Sequence, residues 1–137
     1  MPLRYLLYTN TCIAAMRHHT LVLQRMAAVP PADCAISSIR SYELFTGVEK
    51  CADSAKELAK VDLLLATVSE LVFDAEAARE AGPIRALLES QGCMIGAYDV
   101  LLAGHARSAG LTLVTANTAE FSRVPGLTLE DWHLTAP

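Results

Sequence analysis

Four short apolar runs, each separated from the next by a stretch with helical character, constrain this chain more than any other feature. Arg4 to Tyr8, Cys34 to Ser37, Leu71 to Phe73 and Leu111 to Thr115 are too short for helices and suit buried strands. A strand reaches a parallel neighbour only through a crossover, so the alternation predicts a parallel sheet with right-handed connections and helices on both faces. At 137 residues the chain is read as a single domain over 1–137, large enough to bury about two thirds of its unfolded surface without a staple.

Local signals place the connections. Thr9 and Asn10 offer turn or capping chemistry before Ile13, Ala14 and Met16, and a helix over Leu21 to Met26 ends at Pro30 and Pro31. Ser38 is the expected cap of a helix through Tyr42, Leu44 and Phe45, and Asp53 caps one whose apolar side is Leu58, Val61, Leu64 and Leu65. Asp74 precedes an alanine-rich helix, Ala75 to Ala81, and the Gly82-Pro83 step is read as a break before a second helix from Ile84 to Ser90. Met94-Ile95 is a brief strand or the approach to a turn, a helix runs from about Asp99 to Ala109, and Gly110 closes it. Asn117 to Phe121 reads as a short helix or turn, and Leu127 to Leu129 as a last small strand.

Eleven Lys and Arg against fifteen Asp and Glu give a formal charge of -4. Net charge does not draw this molecule to a phosphate backbone, so a nucleic-acid substrate needs a local basic patch or divalent cations. The four cysteines show no CxxC pair and read as reduced, partly buried thiols rather than a zinc site. The apolar N-terminal run is broken too early for a signal peptide, and no stretch has the length of a membrane span, so the expected location is the cytoplasm.

Ligands in open parallel sheets gather beyond the carboxyl ends of the strands, so the polar residues there are the candidates. They are Tyr8-Thr9-Asn10 after the first strand, Glu43 after the second, Asp99 opening a helix after Ile95-Gly96, and Asn117 with Glu120 after Thr115. Each has an ordinary reading as a helix-dipole, capping or turn residue. Asp99 stands out because Ile95, Val100 and Leu101 surround it with apolar chain, where an unpaired carboxylate is unfavourable. Carboxylates converging at strand ends can hold Mg²⁺ or Mn²⁺, which lowers the pKa of an attacking water and stabilises charge on a phosphate in flight. No GxGxxG, P-loop or ordered Ser, His and acid set is present, and His18, His19, His105 and His133 have surface or packing roles.

Longer ordered strings then carry a resemblance. Leu6-Leu7-Tyr8-Thr9-Asn10, Ile36-Ser37-Ser38-Ile39 through Glu43-Leu44, Ile95-Gly96-Ala97-Tyr98-Asp99 through His105-Ala106, and Leu113-Val114-Thr115-Ala116-Asn117 through Glu120-Phe121-Ser122-Arg123 resemble the PIN-domain toxins of the VapC (virulence-associated protein C) family. The resemblance spans nearly the whole chain. It implies a three-layer α/β/α sandwich with a four- or five-stranded parallel sheet and Mg²⁺- or Mn²⁺-dependent endoribonuclease activity. The substrate it implies is transfer RNA, including the initiator species. It also implies a VapB-type antitoxin partner, a homodimer and a toxin-antitoxin hetero-oligomer.

By motif position the resemblance places the family's site residues on Glu43, Asp99, Asn117 and Glu120. From these, Glu43, Asp99 and Asn117 are expected to hold the metal, and Asn117 and Glu120 to orient a water. Arg123, otherwise a surface arginine, is the first candidate for a phosphate contact. Arg17 and Arg40 are weaker phosphate candidates, otherwise read as surface arginines. The first family acid, in a Leu-Leu-Asp-Thr-Asn pattern, falls on Tyr8. A phenol with a reference pKa near 10 brings no negative charge and adds a ring, so Tyr8 is expected to impair turnover. The alternative is a catalytically inactive protein of this fold that dimerises and binds its antitoxin. Ala116 and Tyr98 also depart from common family asparagines, without loss of a carboxylate.

Overall fold

A computed structural model describes residues 3–134. Its sheet contains β1 (Tyr5–Leu7), β2 (Cys34–Ser37), β3 (Ser69–Leu71), β4 (Thr112–Val114) and β5 (Leu129–Glu130). All neighbouring pairs are parallel, in the order β3-β2-β1-β4-β5. The chain steps from β1 outward to β3, then returns across the sheet to β4 on the other side of β1. The reversal between β1 and β4 opens a crevice at their carboxyl ends, the place where such sheets bind ligands.

Strand alternation divides the core. Tyr5, Leu7, Cys34, Ile36 and Val114 face one side, against α1 (Thr9–Met16), α2 (Thr20–Ala28), α3 (Ser38–Lys50) and α4 (Ser54–Thr67). Leu6, Ala35 and Leu113 face the other, against α5 (Ala75–Ser90) and α6 (Ala97–Ala109). A short helix α7 (Thr118–Phe121) follows β4 and buries Phe121. Trp132 is fully buried edge-on to Tyr5, at 5.2 Å between ring centres. Cys12 and Cys34 are buried in the first half of this core, and burial pushes their thiols up to about 12 and about 11. Among the described residues no helix is long and apolar enough to cross a membrane.

Several expected boundaries move. The third strand lies at Ser69–Leu71 rather than Leu71 to Phe73, because pairing with Ala35 to Ser37 ends at Leu71 and leaves Val72 73 % exposed. Met94-Ile95 forms no strand and leads directly into α6, and the last strand begins at Leu129, where Leu113 pairs with it. The break at Gly82-Pro83 does not occur. Helix α5 runs through Pro83, whose side chain is exposed, and the residue before it is a glycine. A Cβ at that position would meet the proline ring, so Gly82 makes a helical pre-proline step tolerable.

Caps hold the helices that carry the crevice. Ser37, not Ser38, caps α3: its Oγ accepts the Ile39 N–H at 3.2 Å, while Ser38 Oγ accepts from Phe73 N at 3.0 Å. Asp53 caps α4 as expected, through Lys56 N, and Asp74 caps α5 through Ala77 N. Gly110 ends α6 in the left-handed conformation at φ +67.

His105 on α6 is buried, with Nδ1 2.9 Å from Ser37 Oγ and its ring edge-on to Phe73. Since Ser37 Oγ already accepts from Ile39, its O–H is free to donate to Nδ1, which fits a neutral imidazole. Burial holds the His105 pKa below its ordinary value, against a smaller opposing pull from Asp74. The unfolded chain therefore binds this proton more readily, so His105 supports stability above about pH 6.5 and withdraws that support as pH falls through its folded pKa. Between pH 8 and 5 the melting temperature is expected to fall more steeply for the native chain than for His105→Gln. Parallel curves would contradict this assignment.

Candidate active site

At the carboxyl end of β1, the alternation that buries Leu6 carries Tyr8 onto the α6 side, with Tyr8 N bonded to Val114 O at 2.9 Å. Thr11 Oγ1 donates to the same carbonyl at 3.2 Å, and Asn10 Oδ1 accepts Ala116 N at 3.2 Å, so β1 and β4 are clamped beyond their last paired residues. The Tyr8 ring stacks edge-on against Phe121, at 5.3 Å between centres.

The phenol does not reach solvent unaccompanied. Its hydroxyl donates to Asp99 Oδ1 at 2.6 Å, joining β1 to the first turn of α6 across 91 residues of sequence. Burial first, then this hydrogen bond and the charge of Asp99, push the Tyr8 pKa far above its ordinary value, so it is a neutral donor and not a base. Gly96, just before α6, leaves room for the acid: a Cβ there would lie 3.1 Å from Asp99 Oδ2.

From α3, Arg40 lays its guanidinium over the other side of this group, 4.7 Å from the Tyr8 ring centre, and pairs through Nη2 with Glu43 Oε1. Arg40 is 1 % exposed, so the expectation of a surface arginine is corrected. Its position three residues before Glu43 puts both on one helix face, a spacing that was readable in the sequence. Burial raises the Glu43 pKa, Arg40 lowers it, and the charge of Asp99 raises it again. Tyr8, Arg40, Glu43 and Asp99 thus form one contiguous group.

The other candidates make no hydrogen bond to it. Asn117 lies at the β4 end, its N–H held by Thr115 Oγ1 at 3.0 Å, and its side chain bonds to neither acid. Glu120 is exposed on α7. Arg123 donates to the carbonyls of Met94 at 3.2 Å and Cys93 at 3.4 Å, fixing the segment ahead of α6. Arg17 is exposed just after α1.

Beside Glu43, a cavity of about 320 Å³ is lined by Tyr42, Thr46, Gly47, Lys50 and Tyr98. The two tyrosine hydroxyls meet at 3.1 Å across its mouth, a pair that sequence reasoning did not single out. A second, apolar cavity of about 420 Å³ lies between α1, α2 and α4 and shares no residue with the acidic group.

Divalent ions of the Mg²⁺ class need carboxylate oxygens with free lone pairs. Here one oxygen of Glu43 is taken by Arg40 and one of Asp99 by Tyr8, and no cluster of three or more His, Cys, Asp or Glu side chains suited to a metal exists among the described residues. Of the two carboxylates, only Glu43 Oε2 and Asp99 Oδ2 are left without a protein partner among the described residues, beside the charge of Arg40, so the residues present fit a carboxylate-held metal ion poorly.

The PIN domain family matches residues 5–127. The tRNA(fMet)-specific endonuclease VapC of Salmonella typhimurium is 38% identical over 130 residues, covering 95% of this chain and 98% of that protein. Ribonuclease VapC2 of Rickettsia felis is 36% identical, covering 93% and 97%. Among solved structures, DNA-bound VapBC from Salmonella typhimurium superposes with a TM-score of 0.90 at 39% identity, over 95% of this chain and 98% of that one. VapBC2 from Rickettsia felis, bound to a promoter DNA fragment, gives 0.89 at 35%, over 95% and 99%. With the five-stranded parallel sheet between its helical layers, these similarities establish that the chain belongs to the PIN-domain family, among the VapC toxins.

Proposed function

We propose that this protein is a VapC-type toxin of the endoribonuclease class, directed at RNA and foremost at transfer RNA, whose turnover Tyr8 holds far below that of a relative with an acid in its place. The observation that carries this reading is the Tyr8 hydroxyl on Asp99 Oδ1 at 2.6 Å, at the strand end where the family pattern calls for a carboxylate. Two relatives named as a tRNA(fMet)-specific endonuclease and a ribonuclease support the substrate class.

The site's surroundings agree with a nucleic-acid ligand. Lys50 supplies a cation beside Glu43, and the exposed Tyr42 and Tyr98 offer ring faces of the kind on which unpaired bases stack. Neutral Tyr8 gives its one O–H to Asp99, so toward water it can only accept, and it cannot remove a proton from an attacking water. The same fold is proposed to dimerise and to bind a VapB-type antitoxin, supported by the solved VapBC complexes it superposes on.

Cleavage of a transfer-RNA pool in Mn²⁺ by the native chain, Asp99→Ala, Tyr8→Asp and Tyr8→Asp/Arg40→Met tests the reading. The native chain and Tyr8→Asp, which both keep the Arg40 charge, are expected near the Asp99→Ala background and at least about tenfold below Tyr8→Asp/Arg40→Met, the scale on which site partners act. A native chain as fast as Tyr8→Asp, with both well above Asp99→Ala, would overturn the impairment.

A further inference from the structure

We propose that the buried guanidinium of Arg40 is the resident cation of this site and that Tyr8 and Arg40 are a matched pair, so that a carboxylate at position 8 alone does not recreate a divalent-ion site. The inference rests on the nuclease reading of the site, but its test does not depend on RNA cleavage.

A guanidinium stays charged at every pH the fold survives, so a nearly fully buried Arg40 must find negative partners inside the protein. It finds two: the Glu43 carboxylate, and the electron-rich face of the Tyr8 ring at 4.7 Å. The ring is anchored in turn by its hydroxyl on Asp99. The sequence Glu43, Arg40, Tyr8, Asp99 therefore alternates acid, cation, neutral donor and acid without a gap. Two carboxylates have one internal positive charge beside them, and the attraction a divalent ion would feel is weakened by Arg40.

One donor shows where a restored acid would go. Arg40 Nε is buried and has no hydrogen-bond partner. An aspartate at position 8 would start under the guanidinium and could accept from it, making the fork-like pairing that arginine forms with carboxylates. Tyr8→Asp by itself then strengthens the hold of Arg40 on the site instead of freeing oxygens for a metal. A lysine at position 40 would keep the charge, whereas methionine keeps an apolar stem of similar reach and removes it.

Mn²⁺ titration calorimetry on four folded proteins tests this: the native chain, Tyr8→Asp, Tyr8→Asp/Arg40→Met and Tyr8→Asp/Arg40→Lys, each first shown to melt cooperatively. The native chain, Tyr8→Asp and the lysine double variant are expected to bind weakly, and the methionine double variant at least about tenfold more tightly. Should the methionine variant not fold, Arg40→Gln in the same background is read in its place. Tyr8→Asp binding Mn²⁺ as tightly as the neutral double variant, or the lysine and neutral variants gaining alike, would overturn the pairing. A neutral double variant that binds Mn²⁺ yet cleaves no RNA would count against the nuclease reading while supporting the role of Arg40.

Discussion

Gly104→Ala is expected to destabilise this protein by about 3 kcal/mol, although alanine is the better helix former by about 1 kcal/mol. Gly104 lies in the middle of α6, and a Cβ there would come within 2.7 Å of the N, Cα and Cβ of Ala81 on α5. Those atoms are mostly backbone, so no side-chain rotation relieves the overlap and the two helices must part. Both sides of the contact are buried, and parting the helices also loosens Ile84, Leu88, Val100 and Ala103. Overpacking of this kind outweighs the gain in helix propensity, and the melting temperature should drop by about 10 °C. Gly47→Ala, on the exposed face of α3 with nothing within 4 Å of its Cβ, isolates the propensity term and should stabilise by about 0.5 kcal/mol. Equal effects at the two positions would mean that the α5–α6 approach is not as close as described. Because Asp99 sits in the first turn of α6, Gly104→Ala should also loosen the Tyr8 to Asp99 bond.

The sheet was legible in the sequence because its strands are buried on both faces. Tyr5 to Leu7 and Cys34 to Ser37 are apolar or small throughout, and such runs between helices have few other uses. The edge was less legible: Ser69 and Glu70 in β3 are exposed, so the apolar signal at Leu71 to Phe73 lies partly beyond the paired residues. Helix α5 misled because Gly-Pro ordinarily marks a break, and only its placement on a solvent face reveals the continuous helix.

The candidate site was legible as a set of strand-end positions, and in part as a set of contacts. Tyr8, Glu43 and Asp99 do converge, because β1 ends, and α3 after β2 and α6 ahead of β4 begin, on the same edge of the sheet. Asn117, Glu120 and Arg123 are near in sequence to the same strand end, but none hydrogen-bonds to that group, and Arg123 instead donates to the carbonyls of Met94 and Cys93. Arg40 was named only as a weaker phosphate candidate, and its buried role escaped because burial of an arginine has no local signature. Nothing in Ser38-Ile39-Arg40-Ser41 says which way that side chain turns, and arginine is rarely found fully buried. Its partners were Tyr8, 32 residues earlier, and Glu43, one turn later.

That buried arginine also reverses an expectation about stability. Removing an acid from a site that holds two usually relieves repulsion, and the Glu43 pKa, raised chiefly by burial, is raised further by the charge of Asp99. Glu43→Ala should nevertheless destabilise the native chain by about 2 kcal/mol, since it strands the charge of Arg40 in the interior. The full loss for a buried pair is nearer 3 to 5 kcal/mol, but the Glu43 side chain is 27 % exposed against 1 % for Arg40, so solvent screens part of the interaction. The comparison that isolates the cause is Glu43→Ala made in an Arg40→Met background, followed by urea unfolding of all four proteins. With the cation gone, the same substitution should become neutral or stabilising, because only the repulsion from Asp99 remains to be relieved. If Glu43→Ala stabilises the native chain, the pairing with Arg40 is too weak to balance that repulsion, and the crevice is held together by Tyr8 and Asp99 alone.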